Sequence, residues 1–175
     1  WLLKPNGTAE KNLIKEAHSR GIESDRLIFA AREVVPIDQE PARIAKYLTS
    51  YRLADLFLDT WPYNAGTTAV DALWAGLPVL TKIGNSTVAR MAASALIAIE
   101  INELVTISSE EYMNLAIELA TKPERLALIK QKLQMNRLTT KLFDPVGNTR
   151  YIENAYSEMH RRFLNNLPPD HLFIE

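Results

Sequence analysis

The feature that most constrains this chain is a regular alternation of short apolar runs with stretches of helical periodicity through its first ~107 residues. Residues 1–4 form an apolar run that ends in the turn Pro5-Asn6-Gly7, and Thr8 stands where it can cap the helix that follows. That helix carries Leu13, Ile14 and Ala17 on one face and stops near Gly21. Residues 26–31 read as a second buried strand, 32–41 as a loop, and Pro41 suits the first turn of a helix running from 42 to about 51. Residues 54–59 are too short and too continuously apolar for an amphipathic helix, so they are a third strand. Residues 67–75 are a helix closed by Gly76, and 77–81 a fourth strand. The order βαβαβαβ predicts α/β architecture with a doubly wound, Rossmann-like parallel sheet.

The second half changes character. After the loop 82–87 the pattern predicts a helix over 88–98, a short segment around 104–107, and three helical stretches at about 109–121, 123–139 and 146–167. Ser108 and Ser109 followed by Glu110 and Glu111 form a capped acidic helix start, and Pro123 with Glu124 forms another. We read residues 1–175 as one domain, with an α/β core over about 1–107 and a mostly helical part over about 108–175. The 175 residues, 47% hydrophobic and 23% charged, suffice for one such core.

Twenty Lys and Arg against 21 Asp and Glu leave a net charge of −1, which gives no electrostatic basis for a nucleic-acid groove or an anionic membrane surface. Any bound anion must be held locally. The absence of Cys removes disulfides and thiolate chemistry and fits a reducing interior. His18, His160 and His171 lack ligand spacing, so no metal is expected, and no apolar run is long enough to span a bilayer. The apolar start at Trp1 reads as the inside of a strand, so the chain is expected to be a segment of a longer protein.

In an open parallel sheet, ligands bind beyond the carboxyl ends of the strands, at the loops that feed the next helices. Residues 59–71, DTWPYNAGTTAVD, form such a loop. Asn64, Ala65 and Gly66 permit close backbone approach, and Thr67 and Thr68 place two hydroxyls and free N–H groups at a helix N-terminus. A diphosphate suits that position. Asp71, one turn deeper on the same face, can accept hydrogen bonds from sugar hydroxyls. The same residues also serve as an ordinary helix start worth ~1 kcal/mol or less with no ligand, and the residue chemistry alone leaves both readings open.

The run from Tyr51 through Thr60, continued by PYNAGTTAVDALWAGLPVLT at 62–81, resembles the C-terminal catalytic half of the O-linked N-acetylglucosamine transferases, the SPINDLY-like group included. The similarity extends to RMAAS at 90–94 and to Pro169-Asp170-His171, and covers nearly the whole chain. It implies the donor-binding half of a two-domain GT-B glycosyltransferase. By that resemblance, Thr67 and Thr68 hold the diphosphate of UDP-N-acetylglucosamine, Asp71 contacts the ribose, and the sugar passes with inversion to Ser or Thr of a protein acceptor without a metal. No cofactor is implied beyond the nucleotide sugar. The acceptor-side groups and tetratricopeptide repeats of the family belong to segments outside these 175 residues, the expected location is cytoplasmic, and the segment alone is not expected to turn over.

Two positions depart from the family pattern. The family commonly has His immediately before the paired threonines, where this chain has Gly66. A second His, near the uracil, aligns either with Tyr47, which can stack on a base, or, through the loop around Val35 and Pro36, with Glu40, which cannot. These losses leave open a weaker enzyme, a transferase or epimerase using another hexose donor, or a non-catalytic binding or scaffold module. Arg90 either reaches the phosphate or braces its own loop. Lys82, Asn85 and Ser86 face the same edge, Ser86 or Thr87 suiting a helix cap. Trp61 and Tyr63 either wall the ligand or pack under the loop, and Trp74 is expected in the core.

Overall fold

The computed structural model describes residues 2–30 and 40–174. Residues 31–39, where the sequence predicts a loop containing Val35 and Pro36, and the side chain of Glu40 lie outside that description. Among the described residues there are seven α-helices and five short strands, and every strand pairing is parallel. The α/β architecture that the alternation predicts is therefore present. The chain divides into two compact units, Trp1–Ser50 and Tyr51–Glu175, a division that the strand and helix alternation does not announce.

In the first unit, β1 (Leu2–Leu3) pairs with β2 (Phe29–Ala30), and α1 (Gly7–His18) connects them. The cap of α1 is Asn6, whose side-chain oxygen accepts from the Ala9 amide at 2.9 Å, so Thr8 falls inside the first turn instead of capping it. Gly21, at φ 76°, ends the excursion as expected, with the Ile22 amide returning to the Ala17 carbonyl. Helix α2 (Glu40–Ser50) completes this unit.

In the second unit the strand order is β3 (Phe57–Leu58), β4 (Val79–Lys82), β5 (Val105–Thr106). Strand β3 is shorter than the apolar run 54–59, which follows a 3-10 turn at Tyr51–Leu53, although the Asp59 amide still bonds the Leu80 carbonyl. Helix α3 (Thr67–Ala75) links β3 to β4, and α4 (Met91–Ala98) links β4 to β5. Helices α5 (Ser109–Thr121), α6 (Pro123–Asn136) and α7 (Pro145–Leu164) follow, with Pro at the first position of the last two. The last two end some three residues before the apolar pattern does.

The core of this unit is a cluster of Leu73, Val79, Leu96, Ile99, Ile101, Leu104, Leu119 and Leu133, each at most 1% exposed. Helix α3 contributes Ala69, Ala72 and Leu73, which recur at helical spacing and so share one face. Trp74, one residue farther round, falls off that face. Contrary to the expectation of a core position, it is 43% exposed and meets Phe143 edge-on, with ring centroids 5.0 Å apart.

Candidate functional site

The β3–α3 loop is organised by a carboxylate. Asp59, at the end of β3, is only 6% exposed. One of its oxygens accepts from the amides of Thr60 (2.8 Å) and Ala65 (2.7 Å), and the other accepts from the Thr81 hydroxyl (2.6 Å) at the end of β4. Burial pushes the Asp59 pKa up, and the three hydrogen bonds pull against that shift. Its backbone carbonyl accepts from the Tyr112 hydroxyl of α5 at 2.9 Å, and burial with the nearby Asp59 charge moves the Tyr112 pKa up to about 12.

Asn64, fully buried, ties down the other arm. Its side-chain amide donates to the Thr60 carbonyl (2.8 Å), and its backbone amide donates to the Val88 carbonyl (3.1 Å). Thr60 in turn donates its hydroxyl to the Tyr63 carbonyl at 2.7 Å. The loop is thus fixed at both ends before α3 begins, and Trp61 and Tyr63 stand 54% and 67% exposed on it.

Helix α3 then starts without a side-chain cap. Gly66 is its N-cap residue, and its carbonyl takes the Ala69 and Val70 amides, so the Thr67 and Thr68 amides have no intrahelical acceptor. Both threonines are exposed. Asp71 is half-buried one turn later. Gly76, at φ 90°, closes the helix where the sequence predicts.

The neighbouring β4–α4 loop is bound up in itself. Lys82 Nζ sits 3.5 Å from the Trp61 ring centroid and donates to Ser109 at 3.0 Å. A Cβ on Gly84 would come within 2.7 Å of the Ala89 Cβ and 3.2 Å of the Trp61 ring nitrogen, so only glycine allows this approach. Ser86 caps the short turn by accepting from the Ala89 amide at 3.3 Å, and Arg90 donates to the Gly84 carbonyl at 3.1 Å. Arg90 thus braces its own loop, one of the two roles open to it.

The structure brings together Asn64, Gly66, Thr67, Thr68 and Asp71 on one loop and helix start, with Arg90 following the adjacent strand. Tyr47 lies on α2 in the first unit, 40% exposed. Sequence reasoning passed over Asp59, Thr81 and Tyr112. The available signal was a carboxylate ending an apolar strand, where a charge without a polar partner would be costly. Among the described residues no three His, Asp or Glu side chains converge as a metal site, and no helix is long and apolar enough to cross a membrane.

Residues 1–153 match the family model described as glycosyl transferase family 41. The chain is 31% identical over 175 residues to a UDP-N-acetylglucosamine--peptide N-acetylglucosaminyltransferase of Caenorhabditis elegans, covering 98% of this chain and 14% of that protein. It is 29% identical to the probable enzyme of the same description, SEC, from Arabidopsis thaliana, over 99% of this chain and 17% of that protein. Among solved structures, an O-GlcNAc transferase variant from Thermobaculum terrenum superposes with a TM-score of 0.75 at 27% identity, over 88% of this chain and 28% of that one. The chain therefore spans about a seventh to a quarter of the length of these relatives.

Proposed function

This chain belongs to glycosyl transferase family 41, and on that premise we propose that it is the donor-binding domain of a protein O-GlcNAc-transferase-like enzyme. The observation that carries the reading is the uncapped start of α3, where Thr67 and Thr68 are exposed and their amides lack intrahelical partners. The loop before it is held rigid by Asp59 and Asn64. A helix start presents partial positive charge and N–H donors, which suits the diphosphate of a UDP-sugar.

When the sugar leaves, negative charge gathers on the β-phosphate. Donors fixed in advance at that point stabilise the developing charge, with no metal and no proton to transfer. In this reading Thr67, Thr68 and their amides are those donors, Asn64 and Gly66 shape the loop and Asp71 holds the ribose. Arg90 braces the site. The sugar passes with inversion to Ser or Thr of a protein, in the cytoplasm, and the acceptor side comes from polypeptide outside these residues. The 175 residues alone bind donor and do not turn over.

One observation favours a second reading, a non-catalytic scaffold or a transferase for another hexose. Gly66 supplies no side-chain donor beside the phosphate, and the Met91 methyl occupies the adjoining space. Calorimetric titration with UDP, UDP-GlcNAc and GDP, with and without EDTA, tests the donor site. EDTA-insensitive binding of the uridine ligands alone supports it, and equal affinities in the native chain, Thr67→Ala and Asp71→Asn would refute the assignment. Transfer from UDP-GlcNAc by the full-length protein then separates enzyme from scaffold.

A further inference from the structure

The flank of the α3 N-terminus is closed by a side chain from the next helix. Met91 is the first residue of α4 and is 42% exposed. A β-carbon built on Gly66 would lie 2.5 Å from the Met91 terminal methyl and 3.5 Å from its sulfur. The thioether therefore fills the volume that any side chain at 66 would need, directly before Thr67 and Thr68. Its immediate neighbour Arg90 is tied to the Gly84 carbonyl, which fixes where the Met91 side chain sets out.

We propose that Met91 is a specificity-determining residue of this site, walling the phosphate position with an apolar, adaptable group in place of a hydrogen-bond donor. The proposal rests on reading α3 as the diphosphate site. Methionine is unbranched and flexible, so it fills such a gap closely yet offers a phosphate oxygen nothing to bond. Its reach is the useful property. Glutamine has nearly the same length and would carry its amide N–H to the place the methyl now holds, where a hydrogen bond to a charged oxygen has a strength well above that of a neutral one.

The test uses the whole 175-residue chain and its Met91→Gln, Met91→Leu and Gly66→Ala variants. Titrated with UDP, Met91→Gln is expected to bind about tenfold more tightly than the native chain. Met91→Leu should stay within about twofold, and uridine, lacking phosphate, should be bound equally by all three. Without ligand, the methyl NMR signal of Met91 should move in Gly66→Ala, because the new β-carbon must displace it. Native UDP binding with no gain in Met91→Gln, or a Met91 methyl signal unmoved in Gly66→Ala, overturns the proposal and leaves the donor-site reading intact. Failure of the native chain to bind UDP overturns that reading and this inference together.

Discussion

Helices α3 and α5 both begin just beyond the carboxyl end of a parallel strand of the same sheet, and they begin in opposite ways. At α5 the Ser108 hydroxyl accepts from the Glu111 amide at 3.0 Å, and the Glu111 carboxylate reaches back to the Ile107 amide at 2.9 Å. The Glu111 amide, one of its first donors, is thus satisfied by the helix's own cap, and Glu111 also holds the residue before that cap. At α3 the cap is a glycine, the threonines point to solvent, and no side chain answers the first amides. Two helix starts at corresponding places in the sheet thus differ, one with a side-chain cap and the other with none, and the uncapped one leaves its exposed threonines and first donors facing solvent beside a tightly bound loop.

The largest test of that contrast removes the scaffold under the open end. Asp59→Ala leaves a hydroxyl and two amides without their acceptor and should lower the unfolding free energy by about 3 kcal/mol in urea titration, with UDP binding lost as well. Next, the double change Thr67→Ala and Thr68→Ala should weaken UDP by roughly 10- to 100-fold while stability moves by less than about 0.5 kcal/mol. Smaller still, Ser108→Ala should cost about 1 kcal/mol of stability and leave UDP affinity alone. If the stability losses of the two helix starts came out reversed, the division into uncapped and capped starts would be wrong.

The pH dependence sharpens the picture further. The folded state raises the Asp59 pKa above its ordinary 3.8, so the native protein binds that proton more tightly than the unfolded chain does. This group's contribution is therefore most favourable at low pH and declines as pH rises from about 4 through the folded value. The stability of the native protein minus that of Asp59→Asn should fall over that window and then level off. Tyr112 behaves in the same sense at the alkaline end. A phenol titrating near about 12 should be visible by ultraviolet absorbance and missing in Tyr112→Phe.

Much of the architecture was legible because the responsible signals are local. Gly76 ends α3, Ser108 starts α5 and Pro123 opens α6, each acting within about one turn of its own position. The paired threonines were legible for the same reason, since they stand at a helix start that periodicity alone locates. Thr8 was misjudged because Asn6, two residues earlier, competes for the same amides. Trp74 was misjudged because a single step of 100° along a helix separates a core face from an exposed one.

The sequence by itself determined the order of elements, the parallel α/β class and the place of the candidate donor loop, since these follow from short-range periodicity and from the turn chemistry of individual residues. Only the tertiary structure decided what that loop rests on. Asp59 meets Thr81 across 22 residues and Tyr112 across 53, and Met91 fills the space beside Gly66 from another helix. Such pairings are set by how strands and helices pack, and no local preference of either partner encodes them.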